Sequence, residues 1–101
     1  MTDKHYYTYK LIPPRPGFAV DQTDAEAAVM AEHVSYWSDL RDRGIAVMFG
    51  PVLDPSGVWG LAVVEATTND EVEEIRAHDP AVRTGTATAE VYSMPGAIVR
   101  T

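Results

Sequence analysis

The chain has 101 residues, 46% of them hydrophobic and 23% charged, an ordinary balance for one soluble domain with a modest core. It contains no cysteine, which excludes a disulfide scaffold, a thiolate nucleophile and a cysteine-ligated metal or cluster. Fifteen acidic residues against eight basic give a net charge of -7, so a phosphate backbone or an anionic membrane is repelled and neither nucleic acid nor membrane is an expected partner.

No run approaches the roughly 18 apolar residues that a membrane span needs. The start at Met1, Thr2, Asp3, Lys4 and His5 lacks the basic-then-apolar layout of a signal peptide. A single cytoplasmic domain over residues 1 to 101 is the resulting expectation. His5 to Ile12 is rich in aromatic and β-branched residues and reads as a first strand, with Tyr7, Tyr9 and Leu11 on one face. Pro13 and Pro14 end it, and Arg15 to Gln22, with Pro16 and Gly17, is expected to be a surface loop.

Thr23 and Glu26 have the spacing of a capping box, in which the threonine oxygen takes a backbone N–H and the glutamate reaches back. Val29, Met30, His33, Tyr36, Trp37 and Leu40 then recur at three- and four-residue spacing, which predicts one buried helical stripe. Gly44, after Arg41 and Arg43, is placed to cap the helix C-terminus.

Ile45 to Phe49 predicts a short strand, with Gly50 and Pro51 ending regular pairing. Asp54, Pro55, Ser56 and Gly57 predict a turn, and Val58 to Glu65 the returning strand of a hairpin. On that strand Trp59, Leu61 and Val63 lie on one face and Gly60, Ala62 and Val64 on the other. With apolar residues on both sides, both faces are expected to be covered. Thr68, Asn69, Asp70 and Glu71 open a second helix that stops at His78, Asp79 and Pro80, because the residue before proline is pushed out of helical geometry. After an expected loop through Gly85, Thr86 to Ser93 alternates as a fourth strand.

The order βαββαβ predicts an α+β, ferredoxin-like domain: a four-stranded antiparallel sheet with two helices on one face. The uncovered apolar face then calls for a partner, most economically a second copy packed sheet against sheet as a dimeric α+β barrel.

Acid/base chemistry has few candidates. His33 stands alone as a titratable ring on an apolar helical stripe, and an unpaired buried imidazole is costly, so it should have a partner. Asp54 follows the Gly-Pro step and can either serve the turn or meet His33; Asp79 has the plain reading of a helix terminator that bonds local backbone. His5 and His78 read as a strand-start residue and a cation favourable at a helix C-terminus. The three histidines show no metal-ligand spacing, and there is no glycine-rich phosphate loop or G-x-S-x-G elbow, so no metal and no cofactor are expected. Trp37, Trp59, Tyr7, Tyr9, Met48 and Phe49 are first of all packing residues that could also line an apolar pocket.

His33, Trp37, Leu40 and Gly44 on the first helix are followed by Gly50, Pro51 and Asp54 after the second strand. Then come Gly57, Glu65, Asp79 with Pro80, Gly85 and Pro95. In that order and spacing, over residues 5 to 96, the chain resembles the YciI-like (YCII-related) family of the dimeric α+β barrel superfamily. The resemblance implies a histidine and an aspartate acting as an acid/base pair, carried here by His33 and Asp54, with Asp79 as a further contributor. One related class removes chloride from a chlorinated hydroxyhydroquinone. A small cofactor-free lyase, isomerase or dehydrochlorinase acting on a cyclic or aromatic small molecule is therefore the leading expectation. A non-catalytic dimeric binding or accessory module is the alternative, and a cofactor-free monooxygenase of the same architecture a third. Two departures from the family pattern bear on the pocket: the long proline-rich segment Pro13 to Gln22, and Ala81 where a bulky aromatic is more usual.

Overall fold

The computed structural model describes residues 4–100. Along them run β1 (His5–Ile12), α1 (Phe18–Asp21), α2 (Asp24–Asp42), β2 (Ala46–Val52), β3 (Trp59–Ala66), α3 (Asn69–His78), α4 (Pro80–Arg83) and β4 (Thr88–Ser93). The strands form one antiparallel sheet in the order β2-β3-β1-β4. This is the ferredoxin-like order, with the two longer helices packed on one face as the βαββαβ pattern predicts.

Alternation along the strands decides which side chains meet those helices. Tyr7, Tyr9 and Leu11 of β1 are buried, and so are Ala62, Val64 and Ala66 of β3. Tyr9 stands opposite Ala62 and Tyr7 opposite Val64, so both strands send the same register set into one core. Trp37 and Leu40 of α2, Val72 of α3 and Ala81 of α4 close that core from above. On the other face Thr8, Lys10, Trp59, Leu61, Val63 and Glu65 are only partly covered, and Met48 and Tyr92 are half exposed.

α2 is held at both ends by its own sequence. Thr23 accepts the Glu26 N–H at 3.1 Å, and Glu26 accepts the Thr23 N–H at 2.9 Å, completing the capping box. At the other end Gly44 has φ 76°, its N–H bonds the Arg41 carbonyl, and the Ile45 N–H bonds that of Leu40. Both bonds are those of a Schellman cap, which needs a left-handed residue that glycine provides without a Cβ penalty.

Three expectations need correction. β2 does not stop at Gly50 and Pro51 but runs through them to Val52; it is an edge strand, where proline's missing N–H costs no ladder bond. Residues 15–22 are not an open loop, because Phe18 is buried and the one-turn α1 forms there. Arg15 fastens this segment to α2 with a two-pronged bond to Glu26 at 2.7 and 3.0 Å and a further one to Asp21 at 3.0 Å. Finally, the chain after α3 folds at once into another helical turn, α4, with Pro80 at its first position, where no N–H is required.

Candidate active site

Four donors converge on one carboxylate, that of Asp79. Its Oδ1 accepts from His33 Nδ1 at 2.7 Å and from the Ala81 N–H at 3.0 Å. Its Oδ2 accepts from the Tyr9 hydroxyl and the Trp37 indole N–H, each at 2.9 Å. The sequence places these groups simply: His33 and Trp37 are one helical turn apart on α2, so their side chains descend on the same face. Tyr9 rises from the sheet beneath. Asp79 ends α3 and caps α4, and its β-region backbone (φ -62°, ψ 122°) turns the carboxylate toward that face.

Asp79 is fully buried, with 0% of its surface exposed. Burial alone pushes its pKa up, but the hydrogen bonds and charge of His33, with the Trp37 and Ala81 N–H groups, outweigh it and hold the carboxyl below its ordinary range. A carboxylate whose two oxygens each accept two hydrogen bonds has no site for a proton of its own. It therefore accepts from Nδ1–H of His33 and fixes the ring as the tautomer whose Nε2 carries the lone pair. The Tyr9 hydroxyl is pushed far up by burial and by the Asp79 charge, so it remains a donor. The Tyr36 hydroxyl, which donates to the Ile75 carbonyl at 2.8 Å, is likewise raised to about 12, chiefly by burial.

The His33 ring lines a cavity of about 300 Å³ between α2, the β2–β3 half of the sheet and the segment from Pro13 to Gln22. No protein group among the described residues bonds Nε2, and no buried polar side-chain atom among them lacks a partner. Nε2 is therefore accessible. The cavity walls are apolar: Met30, Val34 and Trp37 from α2, Phe49 and Ala62 from the sheet, Phe18 and Ala19 from α1. Trp37 packs against Tyr9 with ring centroids 4.7 Å apart and against Phe49 at 6.3 Å.

The structure thus brings His33 to Asp79 and not to Asp54. Asp54 Oδ1 accepts the Ser56 N–H at 2.8 Å and Oδ2 accepts the Trp59 indole N–H at 3.1 Å. Those bonds, that of Ser56 foremost, lower its pKa. The carboxylate serves its own turn and steadies Trp59, which lines the cavity. Tyr9 and Trp37 are expected from the sequence to be packing residues, yet each also donates to Asp79. The signal for this is faint: a buried tyrosine or tryptophan needs a partner for its polar atom.

The model of the YCII-related domain matches residues 8–95 of the chain. No curated protein matches the sequence. Among solved structures, the 5-chloro-2-hydroxyhydroquinone dehydrochlorinase of Burkholderia phenoliruptrix AC1100, determined in complex with 2,5-dihydroxybenzoquinone, superposes with a TM-score of 0.65 at 19% identity. The match covers 90% of this chain and 95% of that one. An uncharacterised protein of Thermotoga maritima superposes with a TM-score of 0.57 at 7% identity, over 91% of this chain and 99% of the other. These likenesses agree on the fold, and with the family match spanning most of the sequence and both strand order and helix placement as described, the chain belongs to the YCII-related domain family.

Proposed function

We propose that the cavity is an active site in which His33 Nε2 moves a proton on a small cyclic or aromatic molecule, with Asp79 holding the ring in its working tautomer. The observation that carries this reading is the 2.7 Å bond from His33 Nδ1 to a buried carboxylate whose oxygens each accept two hydrogen bonds, on a ring that lines an apolar cavity and whose Nε2 bonds no protein group among the described residues. Such a pair is suited to general acid/base catalysis. Nε2 takes a proton from the bound molecule, and the electron pair left behind either expels a leaving group or moves toward a neighbouring carbonyl. An elimination is complete at that point, and an isomerisation adds only the return of the proton from the His33 imidazolium to another atom of the molecule. The dehydrochlorinase of the same fold supports a ring-shaped substrate. The partly covered open face of the sheet supports a homodimer packed face to face.

The test is a screen of cyclic ketones and chlorinated hydroquinones, scored by solvent deuterium incorporation and by chloride release, on the wild type, His33→Gln, Asp79→Asn and Asp54→Asn. His33→Gln is expected to lose about 100-fold or more of any activity found, Asp79→Asn to lose a large share of it, and Asp54→Asn to stay within about threefold, since that carboxylate does not touch the ring. A His33→Gln protein as active as the wild type contradicts the reading. Tight binding of a screened compound with no proton exchange identifies a binding module instead.

A further inference from the structure

Among the residues lining the cavity, hydrogen-bonding capacity is scarce. Tyr9 and Trp37 spend their polar atoms on Asp79, and Trp59 spends its N–H on Asp54. No lysine or arginine lines the cavity among the described residues. Besides His33 Nε2, the uncommitted polar side chain there is Gln22, which closes α1, is only partly exposed, and bonds no protein group among the described residues. It is carried by the segment that Arg15 ties to Glu26 and that Phe18 anchors in the interior, so its position is set by the fold.

We infer that Gln22 is the specificity-determining residue of this cavity, and that the ligand is an uncharged ring with two hydrogen-bonding substituents, one meeting His33 and one meeting the Gln22 amide. The inference rests on the cavity being the substrate site proposed above. Two considerations define the ligand class. A cavity with no lysine or arginine among its described lining residues, and whose one ionisable ring is already paired with the Asp79 carboxylate, leaves a ligand carboxylate or phosphate without a counter-charge of its own, and desolvating such an anion there is costly. A ring of six atoms suits a cavity of about 300 Å³, and a substituent that finds no partner in it would forfeit its bonds to water. Gln22 offers both a donor and an acceptor, so it accommodates either a hydroxyl or a carbonyl.

Titration by ¹H–¹⁵N NMR with phenol, benzene-1,4-diol and 4-hydroxybenzoate, under argon, tests this on the full chain. In the wild type benzene-1,4-diol should bind about threefold to tenfold tighter than phenol, the worth of one net hydrogen bond, and should shift the Gln22 side-chain amide signals. 4-Hydroxybenzoate should not saturate. Gln22→Leu should erase the preference for the diol and leave phenol affinity within about twofold, which also shows that the cavity persists. A preference unchanged in Gln22→Leu, saturable binding of 4-hydroxybenzoate as tight as that of phenol, or no saturable binding of any probe overturns the inference. Should the preference depend on Gln22 while His33→Gln leaves every measured reaction unaffected, the acid/base reading fails and the assignment of Gln22 stands.

Discussion

Asp79 is acceptor-only, and every group around it is a donor. Asp79→Asn replaces one acceptor oxygen with an NH₂ group that faces donors inside a closed core. The expected loss is about 2–4 kcal/mol of stability, from donors left without acceptors, read as the shift in the urea midpoint multiplied by an unchanged slope. The pH dependence has a definite sign. The folded state holds this carboxyl below its unfolded value, so the folded chain binds fewer protons there than the unfolded one. Its contribution is complete above the ordinary carboxylate range of about 4 and is lost as the pH falls through the lower folded value. Wild-type stability should therefore drop more steeply below about pH 4 than that of Asp79→Asn; parallel acid limbs would contradict the assignment. The sequence reading pairs His33 with Asp54 and gives Asp79 the lesser part, and the structure reverses the two. Asp54 and Asp79 both stand beside a proline in a turn, and only the three-dimensional path of α3 into α4 decides which one passes under α2.

At the scale of elements, local signals speak most clearly where they are self-contained. The capping box of α2, its glycine cap and the threonine start of α3 are all readable because each motif satisfies backbone groups within a few residues. The segment Pro13 to Gln22 has the composition of a surface loop, but its order comes from distant contacts that composition does not reveal: Phe18 sinks into the interior, Arg15 reaches Glu26, and Pro16 lies against the hairpin turn. That last contact supplies a prediction. Gly57 has φ +136°, and a Cβ there would come within 3.0 Å of the Pro16 Cα. Gly57→Ala should cost about 1–3 kcal/mol and loosen the segment that carries Gln22, seen as a weaker diol affinity and as faster amide exchange at residues 15–22. Unchanged exchange there would show that the turn does not brace the segment.

For the molecule as a whole, the βαββαβ succession is enough to specify the fold class, and with both helices on one side of the sheet the apolar residues of β3 on the other side are left only partly covered. The open face carries Val63 beside Thr8 of β1 and Met48 of β2, a patch that is partly apolar and outside the cavity. If two copies pack there, Val63→Glu places a charge in the interface and should convert a dimer to a monomer at micromolar concentration, while far-ultraviolet circular dichroism stays unchanged. Sedimentation of the wild type as a monomer would contradict the dimer at once. The route from sequence to function thus depends on scale, with caps and the succession of elements legible locally and the His33–Asp79 contact created by packing across 46 residues of chain.

The most direct test of that contact is the ¹⁵N spectrum of the His33 ring in alkaline buffer, where the neutral imidazole is observed. The geometry predicts a proton on Nδ1 and a free Nε2 in the wild type and in Asp54→Asn, with the Nδ1–H form losing its dominance in Asp79→Asn. A wild-type ring protonated at Nε2, or a tautomer that responds to Asp54→Asn and not to Asp79→Asn, would contradict it.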